Sequence, residues 1–178
     1  CVGTLAHRVG TLARRCRVTG LDQSADMLAV ARARLEGAGV SQRVALVQGE
    51  DVPASTTGQK VELASRLIER LTGAGIALDD LYVDPLVFPV ATDSGSALAT
   101  VGAIREIMTR FPGVHTICGL TNVSYGLPAR KLVNRVFLAG AIAAGMDSAI
   151  IDPTDSQLMA VMLGAEAVFG RDEYCMNL

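Results

Sequence analysis

The chain has 178 residues, half of them apolar, with 16 basic and 18 acidic side chains and a formal net charge of −2. That size and balance permit a globular protein of one domain or two small ones, and they disfavour a disordered chain. They provide no basic stripe for nucleic acid, and no apolar run reaches the roughly 18 residues of a membrane span.

Four cysteines, Cys1, Cys16, Cys118 and Cys175, are scattered without a CxxC pair beside only two histidines, His7 and His115. This pattern points to a reduced, cytoplasmic setting and to chemistry without a metal ligand set. The chain opens on Cys1 rather than Met and lacks the charged-then-apolar order of a signal peptide. A soluble chain is expected, processed or cut from something longer.

The first strand candidate is Arg17 to Leu21. Asp22-Gln23-Ser24 follows as a helix cap, Met27, Leu28, Ala31 and Leu35 recur at helical spacing, and Gly37 and Gly39 stop the helix. Arg43 to Val47 is the second strand candidate. Ala64, Leu67, Ile68 and Leu71 then give the next helix one buried stripe, read as core packing.

Leu81 to Val83 is the third strand candidate. Pro85 cannot donate to a ladder, so it ends the strand and leaves Asp84 at the carboxyl tip. A long loop through Phe88 to Gly95 separates Asp84 from the next helix, so the acid caps nothing nearby and a functional use is favoured. Leu98, Val101, Ile104, Met108 and Phe111 mark that helix's stripe.

Val114 to Leu120, the fourth strand candidate, stops abruptly at Thr121, Asn122 and Ser124. Gly126 and Pro128 punctuate the chain, and Arg130 and Asn134-Arg135 lie on the helix that follows. Ser148 to Ile151 is the fifth, ending in Asp152-Pro153 as the third ends in Asp84-Pro85. Strands alternating with helices predict an α/β fold with a parallel sheet of about five strands.

In such folds ligands gather at the carboxyl ends of the strands, where Asn122 can donate and accept hydrogen bonds without bringing a charge. Neutral heterocycles suit that site. Asn122 and Ser124 could equally close a turn, and Asp152 reads as well as a helix cap as a ligand group.

Val18-Thr19-Gly20-Leu21-Asp22, Met27-Leu28, Ala31-Arg32 and Val44-Ala45-Leu46-Val47-Gln48-Gly49-Glu50-Asp51 resemble class I methyltransferases that use S-adenosylmethionine. The resemblance implies that Asp22 binds the ribose hydroxyls and that Glu50 or Asp51 lies near the adenine. Without it, Asp22 is a helix cap on an ordinary αβ unit.

From about residue 56 to 178 the chain resembles the carboxyl-terminal half of pterin-binding methyltransferases, which move a methyl group between tetrahydrofolate and a corrinoid protein. The matching residues are Leu78-Asp79-Asp80-Leu81-Tyr82-Val83-Asp84-Pro85-Leu86, Gly119-Leu120-Thr121-Asn122-Val123-Ser124, Leu132-Val133-Asn134-Arg135-Val136-Phe137-Leu138, Ala149-Ile150-Ile151-Asp152 and Glu173-Tyr174-Cys175. The resemblance implies that Asp84 hydrogen-bonds the pterin ring, that Asn122 reaches the N5 region carrying the methyl, and that Arg130 lies nearby. Ser124 and Asp152 are further substrate-binding candidates. Many relatives have Asn where this chain has Ala129.

It also implies methyltetrahydrofolate as substrate and cobalamin on a corrinoid partner. Two segments follow from the two resemblances, 1–53 Rossmann-like and 54–178 a half TIM barrel, joined near Gly49 to Thr56. The expected architecture is one continuous open sheet, with a homodimer closing a barrel as the other remedy for an unpaired edge. Three readings stand: a folate-corrinoid methyltransferase segment, an S-adenosylmethionine enzyme, or a folded but inactive hybrid.

Overall fold

The computed structural model describes residues 18–22, 29–30, 32–33, 36–37, 44–48 and 54–178. The chain separates into two compact units, Cys1–Pro53 and Ala54–Leu178.

In the first unit, strands β1 (Val18–Asp22) and β2 (Val44–Gln48) pair in parallel, from Val18 opposite Val44 to Asp22 opposite Gln48. Residues 29, 30, 32, 33, 36 and 37 between them are helical, as a parallel crossover requires. Gln23, Ser24, Met27, Leu28, Ala31, Leu35, Glu50 and Asp51 lie outside the described residues.

The second unit begins at helix α1 (Thr57–Gly73). Thr56 and Gln59 form a reciprocal capping box that satisfies the free N–H groups of its first turn. Then come β3 (Tyr82–Val83), α2 (Ser96–Arg110), β4 (His115–Gly119), a 3-10 turn over Leu120–Ser124, α3 (Arg130–Ala144), β5 (Ser148–Ile150) and α4 (Ser156–Val168). The three strands form one parallel sheet in the order β3-β4-β5.

The strands pair as a two-stranded sheet within the first unit and a three-stranded sheet within the second. In the latter, β3 offers only Tyr82 and Val83 to its ladder with β4 before Pro85 removes the next N–H but one. No helix among the described residues is long and apolar enough to cross a membrane.

Register separates the two faces of the three-stranded sheet. Val83, Thr116 and Cys118 lie on one face and are buried, and Ala149 beside them packs against the core. Tyr82, His115, Ile117, Ser148 and Ile150 lie on the other, where Tyr82 is 57% and Ile150 63% exposed. The helices therefore cover one face only. Val61, Ala64 and Ile68 of α1 pack with Ala103 and Ile107 of α2 beneath β3, while Ile104, Phe137, Leu138, Ala141 and Leu158 build the core beneath β4.

Of the expected stripe on α2, Ile104 is buried and Val101, Met108 and Phe111 pack against the core, while Leu98 does not. Ser96, Thr100, Ala103, Ile104 and Ile107 face inward, whereas Leu98 is 78% exposed. Two polar residues occupy the inner face because both bond the loop after β3: Ser96 Oγ accepts from the Phe88 N–H at 2.8 Å, and Thr100 Oγ1 donates to the Leu86 carbonyl at 3.3 Å.

The amino ends of the strands are stapled. Asp147, just before β5, accepts from the Thr116 N–H at 3.1 Å through Oδ1 and meets His115 Nδ1 at 2.6 Å through Oδ2. Tyr82 stacks on the His115 ring, with centroids 4.7 Å apart. Helix α3 ends at Gly145, whose φ of 116° suits the absence of a side chain. Arg171 donates to the Ile142 carbonyl at 3.0 Å and to that of Met146, capping the same helix end with a cation.

Candidate functional site

Because β3, β4 and β5 are parallel, Asp84, Asn122 and Asp152 all follow the carboxyl ends of their strands and share one edge of the sheet. Asp84 directly follows β3. Its Oδ1 accepts the Leu86 N–H at 2.9 Å, closing a turn over Pro85. The residue keeps an exposed edge. Burial nevertheless raises its pKa above the usual carboxylate value, opposed by the Leu86 N–H, the Lys60 ammonium and the Gly119 N–H.

Asn122 lies in the 3-10 turn beyond β4 and is exposed. Among the described residues its side chain has no hydrogen-bond partner, so it does not close a turn. A Cβ on Gly119 would sit 3.6 Å from its Nδ2. Gly119, the last residue of β4, lies beneath the Asn122 amide, and its N–H is among the groups that draw the Asp84 pKa down. The two candidates meet over a residue without a side chain.

Ser124 and Arg130 come together with each other. Ser124 is fully buried and its hydroxyl donates to the Thr121 carbonyl at 3.3 Å. Arg130 donates from Nε to Ser124 Oγ at 3.2 Å and from Nη2 to the Thr121 carbonyl at 3.0 Å, with its guanidinium 6.0 Å from the Tyr125 ring centre. These bonds hold the turn that carries Asn122. A further tie runs from the Val90 N–H to the Val123 carbonyl at 3.0 Å, joining the loops after β3 and β4.

Asp152 accepts from the Thr154 hydroxyl at 2.7 Å and the Thr154 N–H at 2.9 Å, bonds that lower its pKa. The cap of α4 is instead Asp155, which accepts the Leu158 N–H at 3.1 Å and pairs with Arg135 of α3 at 3.1 Å. Asp22 is the last residue of β1. Glu50 and Asp51 lie outside the described residues.

Sequence reasoning missed Lys60. It is 3% exposed on the inner face of α1, and its Nζ donates to the carbonyls of Pro85 and Leu86, the former at 2.8 Å. Its ammonium also lies 5.1 Å from the Phe88 ring centre. Burial lowers its pKa, while the charges of Asp84 and Asp93 oppose the shift. The signal was its spacing: Lys60 falls one turn before Ala64 and two before Ile68, in the buried stripe. Beneath Asp84, burial pushes the Cys118 thiol up to about 12, so it stays protonated and inert. A groove of about 350 Å³ is lined by α1 and α2 residues, Glu62, Glu69, Glu106 and Arg110 among them, and holds none of the strand-tip groups.

A parallel α/β layer that brings an acid and an unpartnered amide to its strand tips has the chemistry to hydrogen-bond a polar, uncharged ligand edge. Three known proteins are similar to the chain in sequence. The chain is 36% identical over 124 residues to methylcorrinoid:tetrahydrofolate methyltransferase of Eubacterium limosum, an overlap of 68% of this chain and 45% of that relative. It is 42% identical over 115 residues to methionine synthase of Mycobacterium tuberculosis, covering 61% of this chain and 10% of that relative. The methionine synthase of Mycobacterium leprae is 41% identical over the same length. The chain thus spans less than half of the first relative and about a tenth of the methionine synthases. No family model matches. These relatives agree with the resemblance to pterin-binding methyltransferases carried by the motifs around Asp84 and Asn122.

Proposed function

We propose that residues 54–178 are a pterin-binding methyltransferase segment that handles a methyl group between tetrahydrofolate and a corrinoid protein. The observation that carries this reading is the meeting of Asp84 and the unpartnered Asn122 amide over Gly119, at the carboxyl ends of adjacent parallel strands. The name of the Eubacterium limosum relative, which joins tetrahydrofolate to methylcorrinoid, supplies the substrate class.

Asp84, ionised, accepts hydrogen bonds from the ring NH and amino group of the pterin and fixes its orientation. Asn122 faces N5. The nitrogen leaves with the electron pair of the broken N–CH3 bond, so a hydrogen bond that strengthens as this charge develops lowers the barrier. Ser124 and Arg130 act behind Asn122 by holding its turn. Asp152 marks the third strand tip of the same edge. The methyl-accepting cobalt chemistry belongs to cobalamin on the corrinoid partner.

The sheet's open face supports a half-barrel reading: in a closed barrel that face, with Tyr82 and Ile150, turns inward. A second copy completing the barrel is the corresponding homodimer. For residues 1–53 we propose a partial Rossmann-like piece, on the parallel pair β1-β2 with Asp22 ending β1. A cytoplasmic setting accords with the unpaired Cys118 and Cys175.

The test is thermal melting with each ligand. Methyltetrahydrofolate at a hundredfold its Kd should stabilise the chain by about 2.7 kcal/mol. Stabilisation by S-adenosylmethionine alone would favour the other methyltransferase class, and stabilisation by neither would make the chain an inactive hybrid.

A further inference from the structure

Lys60 sends its amine from α1 to the two carbonyls that follow Asp84. Leu86, which carries one of them, has a φ of 51°, in the left-handed region that a branched side chain rarely adopts. Such a residue persists only where its surroundings fix it from several sides. Here the Leu86 N–H is held by Asp84 Oδ1 and its carbonyl by Lys60 and by Thr100 Oγ1. One strained peptide is therefore gripped at its nitrogen end by the candidate acid and at its oxygen end by the buried lysine.

A neutral donor would suffice to hold two carbonyls, and burying an ammonium costs far more than burying a hydroxyl. The groups facing Lys60 are Asp84 after β3, Asp93 ahead of α2, and Cys118 on β4. Those facing Asp84 are Lys60 and Cys118, of which only Lys60 carries positive charge. We propose that Lys60 is a positioning residue for the pterin site: it locks the Asp84-Pro85-Leu86 turn and supplies the positive charge that the Asp84 carboxylate faces. This inference rests on the proposed function, which assigns the pterin ring to Asp84.

The full chain, labelled with carboxyl-13C aspartate, tests it. The Asp84 resonance is assigned by Asp84→Asn and titrated in Lys60→Met, Lys60→Arg and Thr100→Val. Removing the charge should raise the Asp84 midpoint, with Lys60→Arg restoring it. Thr100→Val, which loosens the same carbonyl without altering charge, should leave it in place. Lys60→Gln replaces Lys60→Met if the latter does not fold.

The acid limb of methyltetrahydrofolate binding should follow the midpoint. At a pH between the two midpoints, Lys60→Met should bind up to about tenfold more weakly than the wild type. An unmoved midpoint in the uncharged variants, or an equal shift in Thr100→Val, overturns the charge role. A binding limb that ignores a moved midpoint overturns the link to the pterin. If the wild type binds no methyltetrahydrofolate, the proposed function fails, and the carboxyl titration alone decides whether Lys60 governs Asp84.

Discussion

Replacing Asn122 by Ala separates its chemistry from its structural role. The side chain is exposed and has no hydrogen-bond partner among the described residues, and the turn's own bonds, from the Tyr125 N–H to the Asn122 carbonyl and from Arg130 to Thr121, survive the change. The substitution should therefore alter stability by no more than about 0.5 kcal/mol. If the amide supports N5 as it becomes the leaving atom, its loss should raise the barrier by about 2.7 to 4 kcal/mol, a hundred- to thousandfold slower single-turnover transfer. Folate affinity should fall much less. Rapid-quench transfer to a cobalt(I) corrinoid protein, with melting curves of the same samples, reads both quantities. An unchanged rate per folded molecule would refute the assignment. So would a loss of kcat/KM wholly accounted for by weaker affinity, with the rate at saturation unchanged, which signifies uniform binding.

Asp84→Asn should raise the melting temperature at neutral pH while weakening methyltetrahydrofolate about ten- to a hundredfold, the worth of a hydrogen bond to a charged group. The sign follows from the raised folded pKa: this group's contribution to stability is full below the ordinary carboxylate value and is lost as pH rises through the folded one. Melts of wild type and variant across that range should diverge with rising pH. Arg171→Ala removes two bonds to the end of α3 and should destabilise by about 1 to 2 kcal/mol in urea titration. Gly102→Ala places a Cβ 2.9 Å from Thr57 Oγ1, where α1 and α2 approach closely, and should cost about 1 to 3 kcal/mol by the same measurement.

The strand tips were legible in the sequence because Pro85 and Pro153 end apolar runs and the polar cluster at Thr121 stops another. Asn122 and Asp84 stand where that punctuation put them. Sheet membership was not legible, since two-residue β3 pairs through backbone groups that every sequence carries. Ser96, Thr100 and Lys60 escaped for a shared reason. Each is polar on an inward face, and its partners are carbonyls or N–H groups of a loop whose path local periodicity does not encode. The same blindness drew Leu98, which the fold turns toward solvent, into a stripe whose other members do pack inward. For Ser124 and Arg130 the sequence located both residues but not their mutual bond.

Asp147 ties β4 to β5 at one end of the sheet, while at the other end the Asn122 side chain bonds to no other group among the described residues. Substitutions at the two ends are then subject to different selection. At the His115 staple almost any change is filtered by folding before function is consulted. Beyond β4, a lineage can sample different amides, hydroxyls or acids at position 122 with the fold intact, so new ligand preferences can arise there in single steps, without a compensating second mutation.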